Sequence, residues 1–276
     1  MRLLLAILLL APAALAQEDR EVQRVHVVER RPFSEANRAE LTLFGLGQVN
    51  PHFTVHAGVG VELSYHLREN LAALASVTYN ALAHQSSLTE ELAAKVDQQP
   101  LAASALLLQA DALAGLELMP IYGKISFFDR TILRLGLYVN AGLGVAKTRL
   151  QLRPSDAVGG RSFGDTGFRP EAGLGVGARI FAGDRFTVRL ELRDFAYSGY
   201  VSRVNGCNFS DVERIEAAEA AGQTASGLSA GCNERAFGAP GAQAQLNAGA
   251  AKDLLARPSA DVINNLAFQG GVSWLF

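Results

Sequence analysis

The sequence has few of the residues from which active sites and metal sites are built. Its 276 residues include two cysteines, five histidines, two methionines and one tryptophan, and no cluster of them has the spacing of metal ligands. The formal net charge is −2 at pH 7, which favours neither a nucleic-acid partner nor strong electrostatic steering. We therefore expect no cofactor, no metal ion and no nucleic acid.

Long apolar runs are also missing after the N-terminus. Residues 1–16 combine Arg2, the apolar stretch Leu3–Leu10 and the small-x-small motif Ala14–Ala16, which predicts a secretory signal peptide. No later segment reaches the roughly 18 apolar residues of a membrane-spanning helix. A mature chain that spans a membrane would therefore have to be a closed β-barrel, because only helices and closed barrels satisfy the backbone in lipid.

The chain instead shows apolar–polar alternation with a period of two, the pattern of strands that have two different faces. It is clearest in Phe53–Leu67, where Phe, Val, Leu and Tyr alternate with Gly, Glu, Ser and His. Some of the predicted strands exceed ten residues, which suits tilted strands that cross a bilayer. The eight predicted strands are Glu40–Gln48, Phe53–Leu67, Leu71–Leu82, Leu113–Ile125, Leu133–Ala146, Glu171–Phe181, Phe186–Arg193 and Asn264–Phe276.

The predicted connections alternate between short turns and long loops, an arrangement typical of outer-membrane barrels, whose short turns face the periplasm. We expect an all-β, eight-stranded antiparallel up-and-down transmembrane β-barrel over residues 39–276, in the outer membrane of a Gram-negative bacterium. A periplasmic segment, 17–38, precedes it, and both termini are expected to be periplasmic. The short link at 48–51 is an exception to the alternation, and the long loops are predicted at about 83–112, 147–166 and 201–263.

Two positions disturb the strand pattern. Pro120 removes a hydrogen-bond donor from the fourth strand. After Arg193 the phase of the seventh strand slips, so that Asp194 falls on the apolar face unless a bulge intervenes.

The two faces of the strands can be assigned in two ways. A soluble lipocalin-like barrel would turn its Leu and Val residues inward. The signal peptide, the unequal loops and the aromatic last strand together favour the opposite assignment, with Leu and Val facing lipid and a Gly- and charge-rich face filling a narrow lumen. We expect the inward charges to form an internal salt-bridge plug rather than a gated proton or ion path. They are Glu40, Glu62, Glu117, Arg134, Glu171, Arg179, Arg189, Glu191 and Arg193.

The C-terminal strand has a further pattern of its own. Every second residue counted back from the end is apolar or aromatic, as in the closing strand of an outer-membrane barrel, although the last strand of a soluble sandwich can look similar. We predict that this face is a signal for the barrel-assembly machinery, formed by Phe268, Val272, Trp274 and Phe276.

The two cysteines, Cys207 and Cys232, lie in one polar, Gly- and Ala-rich loop. In an exported protein such a pair favours a disulfide, and two unpaired thiols are the alternative. Two loop segments, Leu88–Val96 and Asp211–Ala221, are predicted to be helical and to form ordinary surface elements.

One local set of residues resembles a catalytic site. His84 lies beside Ser86 and Ser87, with Glu90 and Glu91 close by, and a lipid hydrolase or acyl transferase would need such groups at the outer rim. The alternative, which we favour, is that residues 87–90 form the capping box of a short helix. We therefore predict no catalytic residues.

Five stretches of the sequence have the pattern of a known family: Arg24–Ser34, Ala39–Gly45, Tyr65–Asn70, Pro120–Lys124 and Arg189–Asp194. With them the chain resembles the outer-membrane β-barrel domain family abundant in myxobacteria and their relatives. The similarity extends over roughly residues 22–276, and Pro120 and Asp194 would be features of that family. Some members are implicated in the envelope-spanning gliding machinery, as outer-membrane subunits linked to periplasmic partners, and the resemblance implies a comparable role.

From these observations we predict a non-enzymatic outer-membrane barrel that serves as a structural or assembly subunit of an envelope complex, in gliding motility or surface adhesion. Its expected partners are outer-membrane lipid, the barrel-assembly machinery during biogenesis, and periplasmic and outer-membrane subunits of the complex. A narrow solute channel is the first alternative, and an outer-membrane lipid-modifying enzyme is the second.

Overall fold

The structure is a computed structural model that describes residues 35–49, 51, 53–95, 106–127, 131–153, 157, 159–258 and 261–276. The predicted signal peptide and residues 17–34 of the predicted periplasmic segment lie outside the described residues.

Eight antiparallel strands form one closed barrel, in which each strand pairs with its neighbours in the chain and the last pairs with the first. Backbone hydrogen bonds of 3.1 and 2.9 Å between Ala39 and Phe276 help to close the ring. The predicted fold class is therefore confirmed. The strands are β1 (Ala39–Gln48), β2 (Thr54–Arg68), β3 (Leu71–Gln85), β4 (Leu106–Phe127), β5 (Thr131–Arg153), β6 (Ser162–Ala182), β7 (Phe186–Ser198) and β8 (Val262–Leu275).

The strands are staggered around the ring. A path through paired residues leaves β1 at Ala39, crosses β4 at Leu116 and β8 at Leu266, and returns to β1 at Val49. The path thus rises by about ten residues in one circuit, which is the stagger that accompanies tilted strands in a small barrel. From each strand to the next, the paired residue therefore lies slightly more than one residue higher along the barrel axis. We call the position along this axis the height of a residue.

The two ends of the barrel differ in their connections. One end, which we call the turn end, holds the C-terminus, the first described residue Glu35, and the tight turns at 69–70 and 183–185. The other end, which we call the loop end, holds the three long connections and the short link between β1 and β2.

The outer face of the barrel is apolar. Leu143, Leu174 and Val59 expose 73%, 66% and 62% of their surface, and a continuous band of such residues is unsuited to water. Near the turn end the rings of Phe186 and Trp274 stack with their centroids 6.1 Å apart. An apolar band flanked by aromatic residues is typical of a barrel embedded in a membrane. Further exposed aromatic residues are Tyr65 and Phe276 at the turn end and Tyr79 and Phe168 at the loop end.

Several strands extend farther toward the loop end than the sequence predicted. β3 continues to Gln85, β4 begins at Leu106 rather than Leu113, and β5 continues to Arg153. The alternation is weak there because protein covers both faces; Leu106 and Leu107 are both buried. The predicted loops 83–112, 147–166 and 201–263 therefore overlap the strands: the flanking strands end at Gln85, Arg153 and Ser198 and resume at Leu106, Ser162 and Val262.

The two irregular positions have different explanations. Near Pro120 the pairing of β4 with β5 shifts between Leu118 and Ile121, so the proline lies in a bulge, where a missing donor costs little. Near Asp194 no bulge intervenes, because β7 keeps one register with both neighbours from Phe186 to Tyr197. Asp194 lies on the outer face, and the alternation continues past it.

The connection between β7 and β8 folds into a compact unit that we call the lid, residues 199–258. It contains α2 (Phe209–Ala220), a 3-10 helix (Glu234–Phe237) and α3 (Ala242–Ala256). The sequence predicted α2 but not α3. α2 is amphipathic: its residues Val212 and Ile215 are buried, and most of its other side chains are exposed or half-buried.

A shorter helix, α1 (Ser87–Lys95), follows β3 and lies where the sequence predicted it. Its cap is one residue earlier than predicted, since the Oγ of Ser86 accepts a hydrogen bond of 3.3 Å from the backbone N–H of Thr89. Within the described ranges, none of the helices is both long and apolar enough to cross a bilayer.

Candidate functional site

The lumen of the barrel is filled by charged side chains that pair with one another. Arg179, Arg189 and Arg193 point inward because they alternate with outward-facing residues along β6 and β7, and each is at most 4% exposed. We call the connected set around them the lumen network. Its members are Glu35, Glu40, Glu62, His66, Glu117, Tyr138, Arg179, Arg189, Glu191 and Arg193.

Near the turn end, Arg179 binds three carboxylates. Its Nη2 lies 2.7 Å from Oε1 of Glu117 and 3.0 Å from Oε2 of Glu40, and its Nη1 lies 3.4 Å from Oε2 of Glu35. The Nε2 of His66 lies 2.8 Å from the same oxygen of Glu40. Because Glu35 precedes β1, this network also fixes the point at which the chain enters the barrel.

In the middle of the lumen, Arg189 and Arg193 share the carboxylate of Glu62. One oxygen of Glu62 lies 2.9 Å from Nη1 of Arg189, and the other lies 2.9 Å from Nη2 of Arg193. Arg189 also pairs with Glu117, and the Nε of Arg193 donates to Glu191 at 2.5 Å. Chains of buried pairs of this kind are costly to break, because removal of one member leaves a charge without compensation.

Tyr138 adds a neutral member to the network. Its hydroxyl donates to Oε2 of Glu191 at 2.9 Å and accepts from Nε of Arg189 at 3.3 Å. The ring needs the space beside Gly177, since a Cβ there would lie 2.4 Å from the ring of Tyr138. A void of about 10 Å³ remains next to Thr42, which is about the room needed for one water molecule. This part of the lumen is closed.

Two of the predicted lumen charges are placed differently. Arg134, predicted to point inward, is partly exposed at the turn end, where its Nη1 lies 3.7 Å from the exposed Asp184. It lies near the turn end of β5 on the face predicted to point inward, so its face was predicted correctly, but the side chain lies at the rim. Glu171 points into the lumen, yet it is not a member of the lumen network. Conversely, the sequence reasoning missed Glu35 and Asp111, which are buried in the lumen.

A second set of lumen side chains lies nearer the loop end and has no hydrogen-bond partners among the described residues outside the set. Thr78 is paired across β3 and β4 with Asp111, and the stagger of the strands brings Glu171 on β6 and Asn265 on β8 to nearly the same height. The hydroxyl of Thr78 faces Asp111 within the set, no described residue outside the set hydrogen-bonds its polar side-chain atoms, and each member is at most 4% exposed. We call it the polar ring: Thr78, Asn80, Asp111, Glu171 and Asn265.

The loop end of the lumen is covered by an apolar layer that continues into the lid. Phe195 and Leu108 belong to the same buried cluster as Ile215 of α2 and Ala251 of α3. Phe195 and Leu108 are each 1% exposed, so the lid closes the mouth of the barrel. Other lid residues in the cluster are Val204, Cys207, Val212, Phe237, Ala244, Ala248, Leu254 and Leu255.

The lid is cross-linked and attached to the barrel wall. A disulfide joins Cys207 to Cys232, as the sequence predicted. Next to it, the backbone N–H of Asn205 donates to the carbonyl of Asp165 at 2.7 Å, and the side-chain oxygen of Asn205 accepts from the N–H of Asp165 at 2.9 Å. These bonds connect the lid directly to β6.

Helix α2 begins with a capping box that also organises the lid. Asn208 Oδ1 accepts from the N–H of Asp211 at 3.0 Å, and Asp211 Oδ2 accepts from the N–H of Asn208 at 3.0 Å. The other oxygen of Asp211 accepts from the N–H of Ser229 at 2.9 Å. Burial alone would raise the pKa of Asp211, but the backbone hydrogen bonds from Ser229 and Asn208 outweigh it and hold the pKa below its usual value.

The residues of the set that resembled a catalytic site make other contacts in the structure. His84 Nδ1 lies 2.7 Å from the carbonyl oxygen of its neighbour Gln85, and the Oγ of Ser86 lies 3.2 Å from the hydroxyl of Thr89. Glu90 accepts from Gln151 at 2.7 Å. Among the described residues, no group of three or more His, Cys, Asp or Glu side chains has the geometry of a metal site.

The lid has a surface groove that is separate from the apolar band on the barrel wall. An open groove of roughly 400 Å³ lies beside the start of α2, and two of its aromatic residues, Tyr200 and Phe209, are 47% and 40% exposed. The other lining residues are Val201, Ser202, Asn208, Ser210, Leu255 and Pro258.

Comparison with known proteins gives a likeness in fold. No known protein-family model and no curated protein sequence matches the chain. The N-terminal β-barrel domain of Pseudomonas aeruginosa OprF is 11% identical, with a TM-score of 0.38 over 87% of this chain and 98% of that one. Neisserial surface protein A is 9% identical, with a TM-score of 0.39 over 87% and 96%. Ail, the attachment invasion locus protein of Yersinia pestis, is 9% identical, with a TM-score of 0.34 over 87% and 97%.

Proposed function

We propose that this chain is a non-conducting outer-membrane barrel that serves as a structural or assembly subunit of a cell-envelope complex. In this proposal the loop end faces the outside and both termini face the periplasm. The observation that carries it is the double closure of the lumen, by the lumen network below and by the lid above. A barrel closed twice is suited to holding other parts in place rather than to passing solutes.

The first closure argues against the alternative of a narrow solute channel. A path through the middle of the lumen would have to separate Arg189 and Arg193 from Glu62, and each of these side chains is buried. Separating a buried ion pair without new partners costs about 3–5 kcal/mol. Several pairs would have to open together, so we expect no stable open state.

The second closure supports a role at the cell surface. The lid is cross-linked by the Cys207–Cys232 disulfide and packs on the barrel through one apolar cluster. It therefore presents a fixed surface rather than a mobile loop. The groove with exposed Tyr200 and Phe209 lies on that surface, and aromatic side chains are common in contacts between proteins. Surface adhesion, or contact with another subunit, is consistent with this arrangement.

The turn end supports a link to the periplasm. Glu35 is held by Arg179 and His66, so the chain emerges at a defined point beneath the barrel. We propose that residues 17–34 bind a periplasmic subunit of the complex. The resemblance of the sequence to the myxobacterial-type barrel family supports an envelope-spanning complex of the kind used in gliding. Outer-membrane lipid and, during biogenesis, the barrel-assembly machinery are the other proposed partners.

Crosslinking in intact cells, followed by purification of the tagged barrel, tests this proposal. The expected result is a stoichiometric set of periplasmic and outer-membrane proteins. Deletion of residues 17–34 should remove the periplasmic ones while the barrel still folds, because Glu35 is kept. A matched variant with the same length of Gly and Ser in place of 17–34 separates loss of sequence from loss of length. A barrel recovered alone from intact cells would contradict the proposal.

Conductance in planar bilayers tests the channel alternative. We expect no stable open level for the purified protein. Long-lived conductance steps that persist in the full-length chain would favour the channel and argue against the closed lumen.

A further inference from the structure

Buried negative charge in the lumen exceeds buried positive charge. The described lumen contains three buried guanidinium groups, those of Arg179, Arg189 and Arg193, and the buried imidazoles of His56 and His66. Each guanidinium contacts carboxylates of the lumen network. His66 lies 2.8 Å from Glu40, and His56 contacts Gln48 and accepts from the N–H of Leu108. The buried carboxylates are more numerous: Glu35, Glu40, Glu62, Asp111, Glu117, Glu171 and Glu191.

The excess is concentrated in the polar ring. Asp111 and Glu171 are 3% and 4% exposed, and neither oxygen of either side chain accepts a hydrogen bond from a described residue outside the ring. The nearest guanidinium below them, Arg193, is already engaged by Glu62 and Glu191. Two carboxylates in this position need compensation, since an isolated buried charge costs several kcal/mol.

Neutral groups of the ring supply a second, independent observation. Asn80 and Asn265 are 1% and 2% exposed, and both polar atoms of each side chain lack a partner among the described residues. They belong to the inward-facing series of β3 and β8, because each is buried between outward-facing neighbours. Two amide oxygens and a hydroxyl, that of Thr78, therefore face the same short section of lumen as the two carboxylates.

We propose that the polar ring binds one hard divalent cation, for which Ca²⁺ is the best match, between the lumen network and the lid. Hard cations take carboxylate, amide and hydroxyl oxygens, and Ca²⁺ accepts six to eight of them in irregular geometry. The two charges of the ion offset those of Asp111 and Glu171. Mg²⁺ is a poorer match, because it demands regular octahedral geometry and gives up its water reluctantly.

The position of the ring also predicts how the ion enters. Phe195 is paired with Asn265 and lies at the level of the ring. Leu108 and the lid cover the ring from the loop end, and the lumen network closes it from the turn end. The ion should therefore be taken up while the barrel folds and exchange slowly afterwards. It would attach β3, β4, β6 and β8 to one another just beneath the lid.

The test is refolding of the full-length chain, with its disulfide intact, from urea into detergent micelles with either Ca²⁺ or a chelator. We expect one bound Ca²⁺ per chain after desalting and a higher Tm for the Ca²⁺-refolded protein. The double variant Asp111→Asn with Glu171→Gln should lose the bound ion and the difference in Tm. Asp165→Asn, which changes a carboxylate paired with Lys147 outside the ring, is the matched control and should retain both.

A second variant keeps the test decisive if the double variant folds poorly. Asn265→Ala removes a neutral ligand and no charge, so it should fold and bind Ca²⁺ more weakly than the wild type. Metal-free wild-type protein with the same Tm under both conditions would overturn the proposal and indicate that Asp111 and Glu171 carry protons. Retention of stoichiometric Ca²⁺ by the double variant would also overturn it, because the ion would then be bound elsewhere.

Discussion

Tyr138 donates a hydrogen bond of 2.9 Å to Oε2 of Glu191 in the centre of a barrel lumen. The same hydroxyl accepts from Nε of Arg189, so one neutral oxygen connects an acid and a base that are both buried. The guanidinium of Arg189 also lies over the ring, 4.6 Å from its centre, within the range of a cation–π contact. The lumen network is therefore held by more than its direct ion pairs.

Tyr138→Phe should destabilise the barrel by about 1–3 kcal/mol, because it leaves a buried donor on Arg189 and a buried acceptor on Glu191 without their partner. The measurement is urea unfolding in detergent, followed by the fluorescence of the single tryptophan, Trp274, on the outer face. Tyr79→Phe, on the outer face of β3, is the matched control and should have little effect. Equal stability of Tyr138→Phe and the wild type would show that the hydroxyl is not needed by the network.

Arg189→Ala should cost more, about 3–5 kcal/mol, because Glu62 and Glu117 would be left as buried charges that have lost a partner. Arg134→Ala provides the comparison within the same barrel. Its ion pair with Asp184 is partly exposed at the rim, and such pairs contribute about 0–1 kcal/mol. The same urea titration reports both. If the two variants lost similar stability, the lumen pairs would be no stronger than surface ones.

The barrel itself could be predicted from the sequence because one rule applies at every strand. Successive side chains point to opposite faces, so Glu62, Arg189 and Arg193 could be placed on the face opposite their apolar neighbours. The signal peptide, the unequal loops and the aromatic last strand then favoured that face as the lumen. The rule fails where both faces of a strand are covered. Around Leu106–Leu108 protein covers both faces of the strand. The apolar–polar alternation therefore disappears, and the sequence of this segment resembles that of a loop. Asp111 was missed for that reason.

Other misses have different physical causes. Glu35 lies outside any strand and enters the lumen only because the chain turns inward before β1, which no periodicity records. α3 is rich in Ala and contains Gly249, and its burial comes from tertiary contact with α2 and the barrel rather than from a clear apolar stripe. Arg134 lies on the predicted face of its strand, but near the end of that strand. There the alternation alone does not tell whether a side chain is buried in the lumen or exposed at the rim.

Replacement of both Cys207 and Cys232 by Ala should loosen the lid without unfolding the barrel. The disulfide closes a separation of 25 residues, and loss of such a constraint costs about 3 kcal/mol through the unfolded state. We expect faster proteolysis within 199–258 and an unchanged urea midpoint from Trp274 fluorescence. Conductance should stay absent, because the lumen network remains in place below the lid. Pore opening in this variant would show that the lid is the principal seal.

Acid should loosen the lid before it unfolds the barrel. The pKa of Asp211 is lowered from an ordinary value of 3.8, so its ionised form is favoured in the folded lid over the unfolded one. The stabilisation is therefore complete above about pH 4 and is lost as the pH falls through the lower, folded pKa. Pepsin digestion across the acid range should show the lid becoming susceptible before the barrel.

Asp211→Asn separates this effect from general acid unfolding. It keeps the shape of the side chain but not the charge, so its lid should be weaker at neutral pH and should lose less on acidification. Asp253→Asn, an exposed carboxylate on α3, should behave as the wild type. If the acid sensitivity of the lid were the same in the Asp211→Asn variant, the capping carboxylate could not be its cause. The acid-sensitive group would then have to be sought elsewhere in the lid.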